Sequence, residues 1–229
     1  MNLKRRWQAA LLLPALAAVA ACQQPAIASE KVVKTPPAKV QSSEAGGLKT
    51  AIFAGGCFWG VEGVFSHVKG VTSAVSGYHG GTSKQASYKL VSSGVTDHAE
   101  AVKVTYDPKQ IRYDQLLRIF FSVVTDPTQL NRQGPDVGAH YRNALVPMSA
   151  EQNRVAKAYI AQMKSANTWG KPIVTKIERA QGFYPAEKYH QDFMLKNPRH
   201  GYILAWDKPK VEALKRIYPG VYRSSFKPG

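Results

Sequence analysis

The sequence predicts an α+β fold, an α/β two-layer sandwich built on a mixed β-sheet. Two observations predict it. Short runs of β-branched and apolar residues alternate with segments of helical periodicity, the pattern of strands and helices interleaved on one sheet. Hydrophobic residues form 44% of the 229 residues, enough for one sizeable core. The 14 prolines and 18 glycines suit a loop-rich domain better than a helical bundle. No internal repeat is visible.

The elements follow in order. Lys49–Gly55 is an apolar strand closed by Gly55-Gly56. Cys57–Val68 is a helix, with Phe58, Val61, Val64 and Phe65 at helical spacing. Val71–Tyr78 is a strand ending near the Gly80-Gly81 turn, and Tyr88–Ser92 is a helical turn. Ala99–Tyr106 alternates, with Ala99, Val102 and Val104 set against Glu100, Lys103 and Thr105, until Asp107-Pro108 stops it. Asp114–Val124 is a helix, Asn131–Arg142 a polar loop and Asn143–Met148 a strand. Ser149 caps a helix over Ala150–Ser165, with Gln152 at its third position. Ile173–Arg179 reads as a strand and Pro185–Lys196 as a last helix. The tail, with Pro198, Pro209, Pro219 and Pro228, reads as irregular.

The first 22 residues place a basic start before an apolar run from Ala9 to Ala21, interrupted by Pro14 and too short to span a bilayer. They are expected to be a signal peptide. Val19-Ala20-Ala21-Cys22 has the lipobox form of a lipoprotein, in which Cys22 would carry a lipid and hold the protein at the periplasmic membrane. Ala26-Ile27-Ala28 offers the alternative of ordinary cleavage and a soluble periplasmic enzyme. Residues 23–47, with Pro25, Pro36, Pro37, Ser42, Ser43, Gly46 and Gly47, are expected to be a disordered tether, and 48–229 the folded catalytic domain.

The formal charge is +16. Lys4, Arg5 and Arg6 lie in the first 28 residues, which hold no acid, so the remainder carries +13. The basic residues are scattered along the sequence, so the excess reads as a solvated surface and no nucleic acid is expected as a partner. The two cysteines are Cys22 and Cys57. With Cys22 lipidated or discarded, Cys57 is alone, which excludes a disulfide scaffold and a cysteine-built zinc site. No paired metal-ligand spacing appears elsewhere.

The central motif is Gly55-Gly56-Cys57-Phe58-Trp59-Gly60. Two glycines let a strand turn sharply into a helix and set Cys57 at the helix start. The unpaired N–H groups and positive dipole end there are expected to favour a thiolate, the nucleophilic form. Phe58 and Trp59 cannot both face the core, so at least one is expected to line a pocket beside the sulfur.

At these residues the chain resembles the type A peptide methionine sulfoxide reductases. GCFWG is their signature, and three further segments follow in the same order. Gly94-Val95-Thr96-Asp97-His98-Ala99-Glu100-Ala101-Val102 is similar to G-x-T-G-H-A-E-x-V. The run from Asn131 to Arg142 is similar to N-R-Q-G-x-D-x-G-x-Q-Y-R. Phe183 to Gln191 is similar to F-x-x-A-E-x-Y-H-Q. The resemblance spans roughly Lys49 to Tyr202. It implies a ferredoxin-like core, long C-terminal coils and reduction of the S epimer of methionine sulfoxide, free or in oxidised proteins.

It also implies roles. Cys57 would attack the sulfur and Glu100, kept protonated by burial, would protonate the departing oxygen. Phe58 and Trp59 would receive the methyl group. Tyr88 and Tyr141 would donate hydrogen bonds to the oxygen. Asp136 would orient water or the substrate backbone, and His98 and His190 would be structural. Three segments depart from the family pattern. Asp97 stands for a Gly and His140 for a Gln, each expected to alter charge near the site and shift its pH range. Gln85-Ala86-Ser87-Tyr88 replaces Asn-Pro-Thr-Tyr.

Attack leaves Cys57 as a sulfenic acid. The tail from Asp207 to Gly229 has no cysteine, so recycling would use an outside thiol, glutathione-like or a thioredoxin-fold donor, with no cofactor. A monomer is expected, touching the membrane only through its lipid. The competing readings are a papain-like thiol hydrolase pairing Cys57 with His190 or His200, and a basic periplasmic binding module with a buried, inert Cys57. Dependence of activity on Glu100 separates the first, and alkylation of Cys57 the second.

Overall fold

A computed structural model describes residues 32–229. Cys22, the signal segment and residues 23–31 of the expected tether lie outside it.

The strands in chain order are β1 (Lys49–Gly55), β2 (Val71–His79), β3 (Ala99–Tyr106), β4 (Arg132–Gln133), β5 (Asp136–Val137), β6 (Asn143–Val146), β7 (Lys176–Ile177) and β8 (Phe183–Pro185). Six of them form one sheet in the order β7-β6-β1-β3-β2-β8. All neighbours are antiparallel except β6 and β7, so the sheet is mixed as expected. The helices are α1 (Phe58–Ser66), α2 (Tyr88–Ser92), α3 (Tyr113–Ile119), α4 (Ala150–Ser165), α5 (Phe193–Lys196) and α6 (Lys208–Ile217). Of these α1, α3, α4 and α6 build one layer over the sheet. The short α2 and α5 and the β4–β5 hairpin sit at its margins.

The two faces of the sheet are unequal. Phe53, Val102, Val104, Tyr106 and Leu145 join the helices in the main core. There Phe53 packs between Phe65 and Phe120, tilted against both, at ring separations of 4.7 and 5.4 Å. Ile52, Ala54, Ala99, Ala101, Ala144 and Val146 form a thin cluster on the other face. The period of two along β3 therefore carries Glu100 to the helix side with Val102, Val104 and Tyr106. The polarity pattern alone grouped Glu100 with Lys103 and Thr105, and the structure separates them. Pairing with Tyr78 of β2 fixes the place of Glu100 near the open end of β3.

Four expectations are corrected. Residues 32–47 do not behave as a free tether. Thr35 is buried against Ser122 (Oγ1 to Oγ, 2.7 Å) and the Tyr159 hydroxyl (2.9 Å). Ser42 donates to Asp114, and Glu44 accepts from Tyr106 (2.6 Å) and Gln152 (3.0 Å). The arm lacks a core of its own, but it satisfies polar groups that the helices would otherwise bury unpaired. The helix expected over Pro185–Lys196 is only α5, because Phe183–Pro185 adds to the β2 edge and Asp192 takes a left-handed φ of 54°. The strand over Ile173–Arg179 shrinks to β7. The irregular tail contains α6, preceded by a π-turn over Ile203–Asp207. Pro209 sits in the first turn of α6, where its missing N–H leaves no bond broken.

Candidate active site

Strand β1 delivers the chain to Gly56, whose φ is 90°, and a Cβ there would lie 2.5 Å from Cβ of Gln133. Only glycine permits this turn. Cys57 becomes the N-cap of α1 (φ −53°, ψ 125°) and stays half-buried, with a free thiol. Gly60, one turn on, lets Asp207 approach: a Cβ at Gly60 would collide with Asp207 Oδ1.

Glu100 lies beside this helix start, 2% exposed. Its Oε2 accepts the Phe58 backbone N–H at 3.0 Å. Burial raises its pKa from 4.5 to about 8, with Asp136 and Asp207 adding to the rise and the Phe58 hydrogen bond opposing it. Glu100 is therefore a neutral acid at pH 7, the form a proton donor needs.

Cys57 behaves differently from the expectation. Burial pushes its thiol well above the usual range, and the carboxyls of Glu100, Asp207 and Asp136 push the same way. The helix start opposes them through the Trp59 backbone N–H and is outweighed. The resting sulfur carries its proton. The dipole argument fails because burial of the thiol and the carboxyl groups facing it outweigh the helix start.

Phe58 turns into the core, 1% exposed, with its ring 5.0 Å from that of His190 and 6.0 Å from Tyr78. Trp59 is the ring left half-exposed. It stacks on Phe193 at 3.7 Å and 5°, meets Tyr202 and His200 edge-on at 5.9 Å, and donates its indole N–H to His190 Nδ1 at 3.2 Å. Tyr88, at the start of α2, is held by its backbone N–H to Glu187 Oε1 (2.9 Å), while Tyr78 clamps the other oxygen of Glu187 at 2.8 Å. Tyr88 and Tyr141 are both half-buried. Burial raises both phenols, and the charges of Glu100, Cys57 and Asp136 add to the rise in each, which places them in one electrostatic neighbourhood. Both remain proton donors at neutral pH.

Sequence reasoning missed Tyr202 and Asp207. The Tyr202 hydroxyl donates a short hydrogen bond to Asp136 Oδ2. This ties the β4–β5 hairpin to the segment leading into α6. Asp207 is fully buried. Its one sequence signal was a carboxylate ending the apolar run Ile203-Leu204-Ala205-Trp206. The departures from the family pattern also resolve. His140 is buried against Tyr141, ring to ring 4.2 Å, and burial lowers its pKa. Asp97 is exposed, and its carbonyl accepts from Arg142. His98 ties Gly81 N–H (3.2 Å) to Thr82 O (2.9 Å), a structural clasp. His190 Nδ1 accepts the Trp59 indole N–H, which holds the imidazole beside that ring. Among the described residues no three His, Cys, Asp or Glu side chains converge as a metal set.

A half-buried thiol, a neutral carboxylic acid and two phenols thus share one electrostatic neighbourhood. The comparisons agree with this geometry. Residues 49–219 match the family described as peptide methionine sulfoxide reductase. The chain is 53% identical over 176 residues to peptide methionine sulfoxide reductase MsrA 2 of Mesorhizobium japonicum, covering 77% of this chain and 90% of that one. Among solved structures it resembles reduced Mxr1 of Saccharomyces cerevisiae, with TM-score 0.60, 35% identity and coverage of 71% and 92%. It also resembles methionine sulfoxide reductase A of Corynebacterium diphtheriae, with TM-score 0.58, 30% identity and coverage of 68% and 78%. A sheet that buries an acid under a cysteine-capped helix, joined to a sequence match over nearly all of the folded chain, leads to one conclusion: the chain belongs to the type A peptide methionine sulfoxide reductase family.

Proposed function

We infer that the protein reduces methionine sulfoxide in peptides and proteins to methionine, and we propose that Cys57 and Glu100 carry the chemistry. The observation that supports this most is the pairing of Glu100, its pKa raised to about 8, with the only thiol among the described residues. The substrate methyl rests against Trp59, and its oxygen points to Tyr88, Tyr141 and Glu100. Cys57 Sγ bonds to the substrate sulfur as the sulfoxide oxygen takes the proton of Glu100; the thiol proton of Cys57 restores Glu100, and the substrate S–O and new S–S bonds break as the oxygen passes to Sγ. The net change converts the Cys57 thiol and the substrate sulfoxide into a Cys57 sulfenic acid and the methionine thioether. One oxygen moves, the substrate sulfur gains two electrons and Cys57 loses two, while Glu100 lends a proton and recovers it. An outside thiol then condenses with the sulfenic acid, releasing water and leaving a mixed disulfide. A second thiol frees Cys57. A thioredoxin-fold or glutathione-like donor suits this step, because no second cysteine follows Cys57.

The reading extends to the S epimer, to a monomer, and to a protein exported to the periplasm and held there by a lipid on Cys22, where it repairs oxidised proteins. Epimer-resolved turnover with several thiol donors tests the chemistry. The expected result is loss of the S form alone, with Cys57→Ser inactive. Turnover by Cys57→Ser at the native rate sinks the proposal. For the anchor, Cys22→Ala is expected to move the protein from the membrane to the soluble fraction.

A further inference from the structure

The C-terminal ends of α1 and α6 meet at one end of the molecule. The two helices run in the same direction, since Asp207 before α6 lies against Gly60 and Tyr222 beyond it bridges Val68. The tail closes over this end through Arg223 N–H to His67 O (2.8 Å) and Lys227 N–H to Ser66 O (3.0 Å).

This end gathers basic residues that are far apart in sequence. Lys69 Nζ donates to Gly220 O at 3.2 Å. Lys215 lies 6.0 Å from the Tyr222 ring. The Arg223 guanidinium donates to Ser66 O at 3.0 Å. Lys69, Lys215, Arg216 and Lys227 are exposed, as is Lys109 on the neighbouring turn. The carboxylates facing them are Glu212 on α6 and Asp107, which binds its own turn through Lys109 N–H and Gln110. The terminal residue, Gly229, lies farther along β2 at Ala74, its N–H on Asp192. Tyr222 and Phe226 pack around His67 at 5.7 and 5.5 Å, which sets aromatic rings among the cations.

The chemistry of the patch points to what this end meets. Cations flanked by Tyr and Phe match the anionic headgroups and interfacial zone of a lipid bilayer. Val32, where the described chain begins, lines a hollow along α6 with Thr125, Asp126, Trp206, Lys210 and Arg216. At most about 35 Å of extended chain separates it from Cys22, enough to reach around this end of the molecule. Cys57 sits at the opposite end of α1, roughly 13 Å away along the helix.

We propose that the end formed by Lys69, Lys215, Arg216, Arg223 and Lys227 docks on an anionic lipid surface and leaves the mouth at Cys57 open to oxidised proteins. It adds a second membrane contact to the proposed lipid on Cys22. The membrane it meets rests on that reading, but the binding itself does not.

The test uses the lipid-free chain from Gln23, which keeps every described contact. It is co-sedimented with phosphatidylcholine vesicles with and without phosphatidylglycerol. Binding is expected only to the anionic vesicles and is expected to be released by salt. Combined Lys69→Glu, Lys215→Glu and Arg216→Glu is expected to lower partitioning on the order of tenfold or more. Combined Lys157→Glu, Lys176→Glu and Arg179→Glu, at the far sheet edge, makes the same charge change and is expected to shift it less than about twofold. Both triples should keep turnover of free methionine sulfoxide, which reports on folding and on the reductase reading separately. If the first triple does not fold, Lys227→Glu alone must still weaken binding severalfold. Equal binding to neutral vesicles, equal loss in both triples, or binding to polyglutamate without binding to anionic vesicles overturns the proposal.

Discussion

Two buried glutamates, Glu100 and Glu62, are close twins by their electrostatics and opposites by their surroundings. Each is at most 2% exposed, each is raised by burial from 4.5 to about 8, and each accepts one backbone N–H, from Phe58 at 3.0 Å and from Asp192 at 3.1 Å. Glu100 faces Cys57 and the phenols of the site. Glu62, one turn and a half along α1, faces Ser76 and the left-handed turn at Asp192. A perturbed carboxyl is thus no sign of catalysis by itself. What it can reach decides its role.

The contrast between the two yields predictions, the largest first. Cys57→Ser is expected to abolish turnover outright, with single-turnover mass spectrometry showing no added oxygen. In the native protein one oxygen should appear on Cys57. Glu100→Gln is expected to lower kcat/KM about 10²- to 10⁴-fold, the range for a lost general acid. The native pH profile should fall above about pH 8 as Glu100 ionises, and this limb should vanish in the variant. A retained limb would assign it to another group. Tyr141→Phe is expected to cost about tenfold in kcat/KM, one hydrogen bond to a partial oxyanion.

Glu62→Gln is expected to change kcat/KM little and stability much more. The folded pKa of Glu62 lies above its unfolded value, so its contribution is complete below about pH 4.5 and lost as pH rises through about 8. The thermal midpoint of the native protein should therefore fall between those values, and Glu62→Gln should flatten that fall. If Glu62→Gln instead removes the alkaline limb of activity, the two glutamates have been assigned the wrong way round. The smallest effect is expected for His140→Gln: burial already keeps this imidazole neutral, so the pH profile should barely move.

Much of the site was legible along the chain. The Gly55-Gly56 turn and Cys57 at the start of α1 follow from local rules of turns and helix starts, and strand alternation places Glu100 on β3, though not on its core-facing side. Tyr202 and Asp207 were not legible, because their partners Asp136 and Gly60 lie far away in sequence and no local pattern announces a contact. The arm over 32–47 escapes sequence reasoning for the same reason. Its composition forbids a core of its own, yet Ser122, Asp114 and Gln152 supply the missing partners from elsewhere.

By itself the order of residues determined that one thiol serves the folded chain, that it caps a helix, and that an acid stands on an apolar strand, since covalent sequence and short-range sterics decide each of these. Only the tertiary structure decided the protonation of that thiol and which of two similar glutamates meets it. Charge states answer to desolvation and to carboxyls brought close by the sheet, the π-turn and α6, and those distances exist only once the chain has closed on itself.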